Sequence, residues 1–112
     1  MKKVIAMILS LVMVLSMTAC GAAEAPAEAA AKTEFKVAII QQLDHSSLDE
    51  IRNAIETQLK ALAAEKNIAI NITYDNGQND TSMLTQIATQ VVSDQPDLII
   101  PIATLAAQAA VL

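Results

Sequence analysis

Three places in the chain carry side chains with chemistry to offer: Gln41, His45 and Ser46; Asn76 and Gln78; and Thr104. Amides, hydroxyls and an imidazole are groups that hydrogen-bond a small polar molecule. They do not add up to a metal centre, because His45 is the only histidine and Cys20 the only cysteine, so no second His or Cys can complete a ligand set. No Ser-His-acid set is evident, and one histidine among several serines is weak ground for nucleophilic catalysis. Gly21 and Gly77 are the only glycines, so neither G-x-G-x-x-G nor G-x-x-x-x-G-K-[ST] can be written, and dinucleotide binding by the usual route is excluded. No cofactor is called for. His45 can hydrogen-bond or stack against a ligand, the plain alternative being a solvated loop histidine. Ser47 and Asp80 read as helix caps before they read as ligand contacts.

These residues need a frame, and the hydrophobic pattern supplies one. Phe35 to Ile40 is a short apolar run rich in β-branched residues, as a strand requires. Ser47-Leu48-Asp49-Glu50 fits a capping box, and Leu48, Ile51, Ile55, Leu59 and Leu62 follow at helical spacing. Ala69 to Tyr74 is a second strand, alternating as a one-sided or edge strand does. Asn76-Gly77 is a turn signal, and Asn79 or Asp80 can cap a second helix whose buried stripe is Leu84, Ile87, Ala88, Val91 and Val92. Gln95-Pro96 ends it. Leu98 to Ile102 is a third strand, apolar throughout as if covered on both faces, with Pro101 expected at a bulge or unpaired position. Thr104 is placed to cap a third helix.

The order β-α-β-α-β-α predicts an α/β fold with a parallel sheet and right-handed crossovers. Ligands of such sheets bind beyond the carboxyl ends of the strands. Here those ends are the loops Gln41 to Ser47, Asp75 to Asp80 and Ala103 to Leu105. All are polar and lead into helix N-termini, which suit an anionic group such as a carboxylate. The sequence stops at Leu112 inside the third helix with only half of a typical doubly wound sheet. It therefore reads as an amino-terminal fragment, with a complete minimal domain as the alternative.

The first residues have a different purpose. Lys2 and Lys3 precede an apolar run, Val4 to Ala19, that is short of the ~20 residues needed to span a bilayer. Small residues then lead to Cys20. This is the anatomy of a secretory signal, and a cysteine directly after it resembles the bacterial lipoprotein pattern, which implies cleavage before Cys20 and lipid attachment to it. An uncleaved anchor is the alternative. The division is then a signal peptide over 1–19, a lipidated Ala/Glu-rich spacer over 20–33 and a ligand-binding lobe over 34–112. The spacer is partly helical by composition and reaches at most roughly 45 Å when extended. Removing Lys2 and Lys3 leaves five basic residues against twelve acidic ones. Such an acidic chain argues against nucleic acid and anionic membrane surfaces as partners. With Cys20 lipidated no thiol is left, so no internal disulfide can form.

Strand Val37-Ala38-Ile39-Ile40-Gln41, loop Asp44-His45-Ser46-Ser47-Leu48-Asp49, loop Asn76-Gly77-Gln78-Asn79-Asp80 and the run Ile102 to Gln108 together resemble the start of an ABC-transporter substrate-binding lipoprotein. The likeness is to the group associated with tryptophan and related amino acids. Ser46 and Leu105 stand where the family often has proline. The resemblance implies the first part of lobe one of a type I periplasmic-binding-protein-like fold, two lobes closing on a small solute, and ABC permease subunits in the membrane as partners. It implies a non-enzymatic protein, lipid-anchored on the extracytoplasmic face of a bacterial membrane, whose ligand contacts map onto Gln41, His45, Ser46, Asn76, Gln78 and Thr104. A tethered ligand-sensing domain of the same fold is the alternative, and a hydrolase on a flavodoxin-like sheet a weaker one.

Overall fold

The computed structural model describes residues 31–111. The signal sequence, Cys20 and most of the spacer lie outside them. Three strands alternate with three helices: β1 (Glu34–Gln41), α1 (Ser46–Lys66), β2 (Ala69–Asn76), α2 (Thr81–Ser93), β3 (Leu98–Ile102) and α3 (Thr104–Ala110). The sheet order is β2-β1-β3 and both pairings are parallel. The β-α alternation and the parallel sheet are those expected from the hydrophobic pattern.

Register fixes which residues share a face. Val37, Ile39 and Gln41 stand beside Ile72, Tyr74 and Asn76 of β2 and beside Leu98, Ile100 and Ile102 of β3. This face looks toward α1, since the Gln41 amide reaches Asp49 of that helix. Ala38 and Ile40 point the other way, into a cluster with Leu84, Ala88 and Val91 of α2 and Ala106 and Ala109 of α3. The core is small. Ile39, Ile40 and Leu84 are its largest fully enclosed side chains, each contributing about 2 kcal/mol by burial.

Local chemistry sets the helix boundaries. Asp80 caps α2, its carboxylate accepting from Met83 N at 2.8 Å. Helix α1 ends in a Schellman pattern: Asn67 takes left-handed backbone at φ 53°, Ile68 N donates to Ala63 O and Asn67 N to Ala64 O. Gln95, at φ 51°, turns the chain out of α2 ahead of Pro96. Asp97 ties β3 to the start of β1. Its backbone N–H donates to Lys36 O, while its carboxylate accepts from Lys36 N and pairs with Lys32. The Lys32 hydrogen bond, with the Lys36 amide behind it, holds this carboxyl below its ordinary range.

Three expectations change, at Ser47, Thr104 and Leu98. The capping box at Ser47 does not form: His45 is the cap of α1, with Nδ1 accepting from Ser47 N at 3.2 Å and its carbonyl from Leu48 and Asp49. Thr104 is the first helical residue of α3, not its cap, and Ala103 takes the cap position without a side-chain bond. Pro101 takes the second of its two expected settings: it makes no bulge but lies opposite Ile40 in an unbroken register, on an edge strand where its missing N–H leaves no partner unmet. The apolar stripe of α1 includes no buried residue, and Ile51 and Leu62 are exposed. Leu98 is exposed as well, so β3 is not covered on both faces.

Candidate functional site

The parallel order brings the three strand ends together, and backbone bonds hold their loops in one layer. Gln42 N donates to Ile102 O at 3.1 Å, joining the end of β1 to the end of β3. Gly77 N donates to Gln41 O at 2.9 Å and Asn79 N to Gln42 O at 2.7 Å, joining the loop after β2 to the same strand end. This is where open parallel sheets take ligands.

The six candidate residues divide into two groups. Gln41 is turned into the protein, and Asn76 is half-buried with its amide already engaged by neighbouring residues. Gln41 is fully buried because the strand alternation points it at α1, and its Nε2 donates to Leu43 O at 2.8 Å and to Asp49 Oδ1 at 2.9 Å. Its Oε1 is enclosed without a partner. Asn76 donates to the Asp44 carboxylate and accepts from Gln78 N at 2.8 Å, so its amide organises the turn. His45 and Gln78 on the loops, and Ser46 and Thr104 as the first residues of α1 and α3, are exposed and so are open to a ligand.

The helix starts are already in good part hydrogen-bonded from within. Met83 N is held by Asp80, Ser47 N by His45, and Leu105 N by Gln42 Oε1 at 2.9 Å. Gln42 also donates through Nε2 to Asn79 Oδ1 at 2.9 Å. Sequence reading passed over Gln42 because its partners lie 37 and 63 residues away. Asp44, which gathers the Asn76 amide and the Tyr74 hydroxyl, escaped notice for the same reason.

Tyr74 stands beside the site with the Arg52 guanidinium 4.3 Å from its ring centre, a cation–π contact. Burial, reinforced by the Asp44 carboxylate, raises the phenol above its ordinary range, while Arg52 and the Asn76 bond pull the other way. The neutral phenol is thus the favoured form in the fold. Its contribution to stability is fully present below the ordinary tyrosine value and is lost as pH rises through the raised one. Tyr74 is the only tyrosine and the chain has no tryptophan, so tyrosinate absorbance reads this group alone. Alkaline titration should place its midpoint above about 10, higher still in Arg52→Gln and lower in Asp44→Asn. A midpoint at or below the ordinary value would contradict this environment.

A cavity of about 560 Å³ lies elsewhere, along β2 and α2 between Lys36, Thr73, Gln90 and Asp94, and borders none of the six candidates. No group of His, Cys, Asp and Glu among the described residues is arranged to hold a metal. No helix among them is long and apolar enough to cross a membrane.

Residues 36–112 match the family described as ABC transporter substrate binding protein. The chain belongs to this family. It is 35% identical over 79 residues to a Clostridioides difficile protein named tyrosine-binding protein, covering 70% of this chain and 23% of that one. Solved structures agree. A conserved domain protein from Vibrio cholerae matches with TM-score 0.63 and 36% identity over 71% of this chain and 27% of its own. The ligand-free, open form of a Clostridium difficile substrate binding protein with adhesive properties gives 0.63 and 35%, over 69% and 26%. A Streptococcus domain in complex with L-Trp gives 0.60 and 31%, over 70% and 26%. The chain therefore spans about a quarter of the length of the family members it matches. Its βαβ frame is that of periplasmic-binding-protein-like substrate-binding proteins.

Proposed function

We infer that the chain supplies the first part of the ligand-binding lobe of an extracytoplasmic receptor that captures an amino acid for an ABC importer. The observation that carries this reading is the layer of three hydrogen-bonded loops at the carboxyl ends of the strands, in a chain whose residues 36–112 match the substrate-binding family. The names of its relatives, tyrosine-binding in one and L-Trp-bound in another, support an amino acid as the solute. On this reading His45, Ser46, Gln78 and Thr104 meet the ligand directly, while Gln41 and Asn76 hold the loops from beneath. A second lobe closes over the ligand by a hinge, and the closed form is what the permease reads. Cys20, lipidated after cleavage of residues 1–19, keeps the receptor at the membrane.

Calorimetric titration of the full-length gene product with L-tyrosine and L-tryptophan tests the reading. Binding of at least one is expected, and Thr104→Ala weakens it about tenfold, the loss of about one hydrogen bond. His45→Asn keeps an acceptor for the α1 cap, so a similar loss there reports the ligand contact and not the helix start. Absence of binding to any amino acid would sink the assignment. For the anchor, incorporation of labelled fatty acid should vanish in Cys20→Ser; labelling that survives removes Cys20 from the account.

A further inference from the structure

Gln42 occupies a position unlike any other polar residue in the fold. It follows β1 directly and makes four hydrogen bonds, two to the turn after β2 and two to the junction of β3 with α3. Its backbone N–H reaches Ile102 O and its carbonyl accepts from Asn79 N. Its side chain spans the same two loops, accepting from Leu105 N through Oε1 and donating to Asn79 Oδ1 through Nε2. The backbone pair fixes where the strand ends lie. The side-chain pair fixes how the Gln78–Asn79 turn and the Thr104–Leu105 segment sit relative to each other.

Few side chains can do this. The task needs a donor and an acceptor on one planar group at the reach of two methylenes. Asparagine is a methylene short, and leucine has the bulk with neither function. The turn being held is a costly one at Gln78, since Gln78 and Asn79 both have positive φ, at 50° and 60°, backbone that asparagine tolerates and glutamine adopts far less readily.

We propose that Gln42 is the positioning residue of the ligand site, clamping the Gln78–Asn79 turn to the Thr104–Leu105 segment and setting ligand affinity without touching the ligand. This rests on the reading of the three loops as an amino-acid site. Removing the clamp leaves the backbone bonds and the core in place, so the fold survives. The loops then have to be ordered when the ligand arrives, and that ordering is subtracted from binding.

The test is L-tyrosine and L-tryptophan titration of the full-length gene product alongside thermal unfolding. Gln42→Ala and Gln42→Leu should each raise Kd about tenfold, with Tm lowered by no more than about 3 °C. Gln42→Glu keeps the acceptor for Leu105 N and can accept from a turned-around Asn79 amide, so it should recover Kd to within about threefold of the parent. Asn79→Ala should weaken binding, and the double variant Gln42→Ala/Asn79→Ala should be no weaker than Gln42→Ala alone, because both remove the same bond. If Gln42→Ala proves unstable, the Leu and Glu variants, equal in bulk, carry the comparison. Equal affinity in those two, or unchanged or tighter binding in Gln42→Ala and Gln42→Leu, overturns the clamp while the functional reading stands. A parent protein that binds no amino acid overturns the functional reading itself, and the clamp with it.

Discussion

Gly77→Ala is expected to destabilise the fold by about 2 kcal/mol, a large effect for one methyl group in a loop. The dipeptide Asn76-Gly77 suggests a glycine needed for positive φ, but Gly77 does not adopt it; Gln78 and Asn79 do. The glycine is required by proximity. A Cβ at Gly77 would overlap Leu84 Cδ2 and Leu84 Cγ. Leu84 is fully enclosed between the sheet and α3, so it has no empty space into which to retreat. Either it leaves its rotamer or the loop lifts, and lifting the loop strains the Gly77 N to Gln41 O bond that sets the site. A double-variant cycle in urea distinguishes the clash from a backbone effect. Leu84→Ala alone should cost about 3 kcal/mol for the lost burial and the cavity. In that background Gly77→Ala should cost close to nothing, since the atoms it would strike are gone. A full cost that persists there would place the glycine requirement in the backbone.

Ala103 offers the opposite sign. It links β3 to α3 with φ 76° and ψ 167°, a region that side chains other than glycine's essentially avoid, at about 1–3 kcal/mol. The conformation is imposed from both sides. Ile102 is buried and accepts from Gln42 N, and Ala103 O accepts from Ala107 N in the first turn of α3. Ala103→Gly should therefore stabilise the fold by about 1 kcal/mol, the relief of strain less the greater freedom glycine gives the unfolded chain. Ala103→Val should cost about 2 kcal/mol, because a β-branched residue tolerates positive φ least. Ala103 itself is exposed, so lost burial does not account for the valine result. Urea midpoints for the two variants should fall on opposite sides of the parent. Both falling below it would mean the linker does not hold this backbone.

The strained residue precedes Thr104, and the glycine that admits Leu84 precedes Gln78. Both backbone features thus lie next to side chains assigned to the ligand. A site built this way holds its contacts through the core beneath it. Substitutions at Leu84 or Ala103 are accordingly expected to move affinity as well as stability.

Much of the frame was legible in advance because it is local. β-branched runs mark strands, periodic apolar residues mark helices, and Asp80 caps α2 as an acidic residue three positions before an amide should. Pro96 ended the helix before it for the steric reason that always applies to the residue ahead of proline. Local reading failed where two local answers competed. Ser47 with Glu50 made a plausible capping box, yet the helix begins one residue before Ser47, with His45 as its cap. The stripe of α1 was read correctly as a periodic pattern. How deeply the stripe is buried is not a local property, because it depends on what else covers the sheet.

The sequence by itself determined the alternation of strands and helices, the polar loops after each strand, and, with one histidine, one cysteine and two glycines, the lack of a His/Cys zinc set or a glycine-rich phosphate cradle. These follow from residue types and spacings, which need no knowledge of distant parts of the chain. Only the tertiary structure decided that Gln41 faces inward, that Gln42 joins the segments on either side of β1, and that Gly77 makes room for Leu84. Each of these depends on groups far apart in sequence meeting at one point in space. A parallel sheet creates such meetings by setting the ends of successive strands side by side, although the helices between them keep those ends tens of residues apart along the chain.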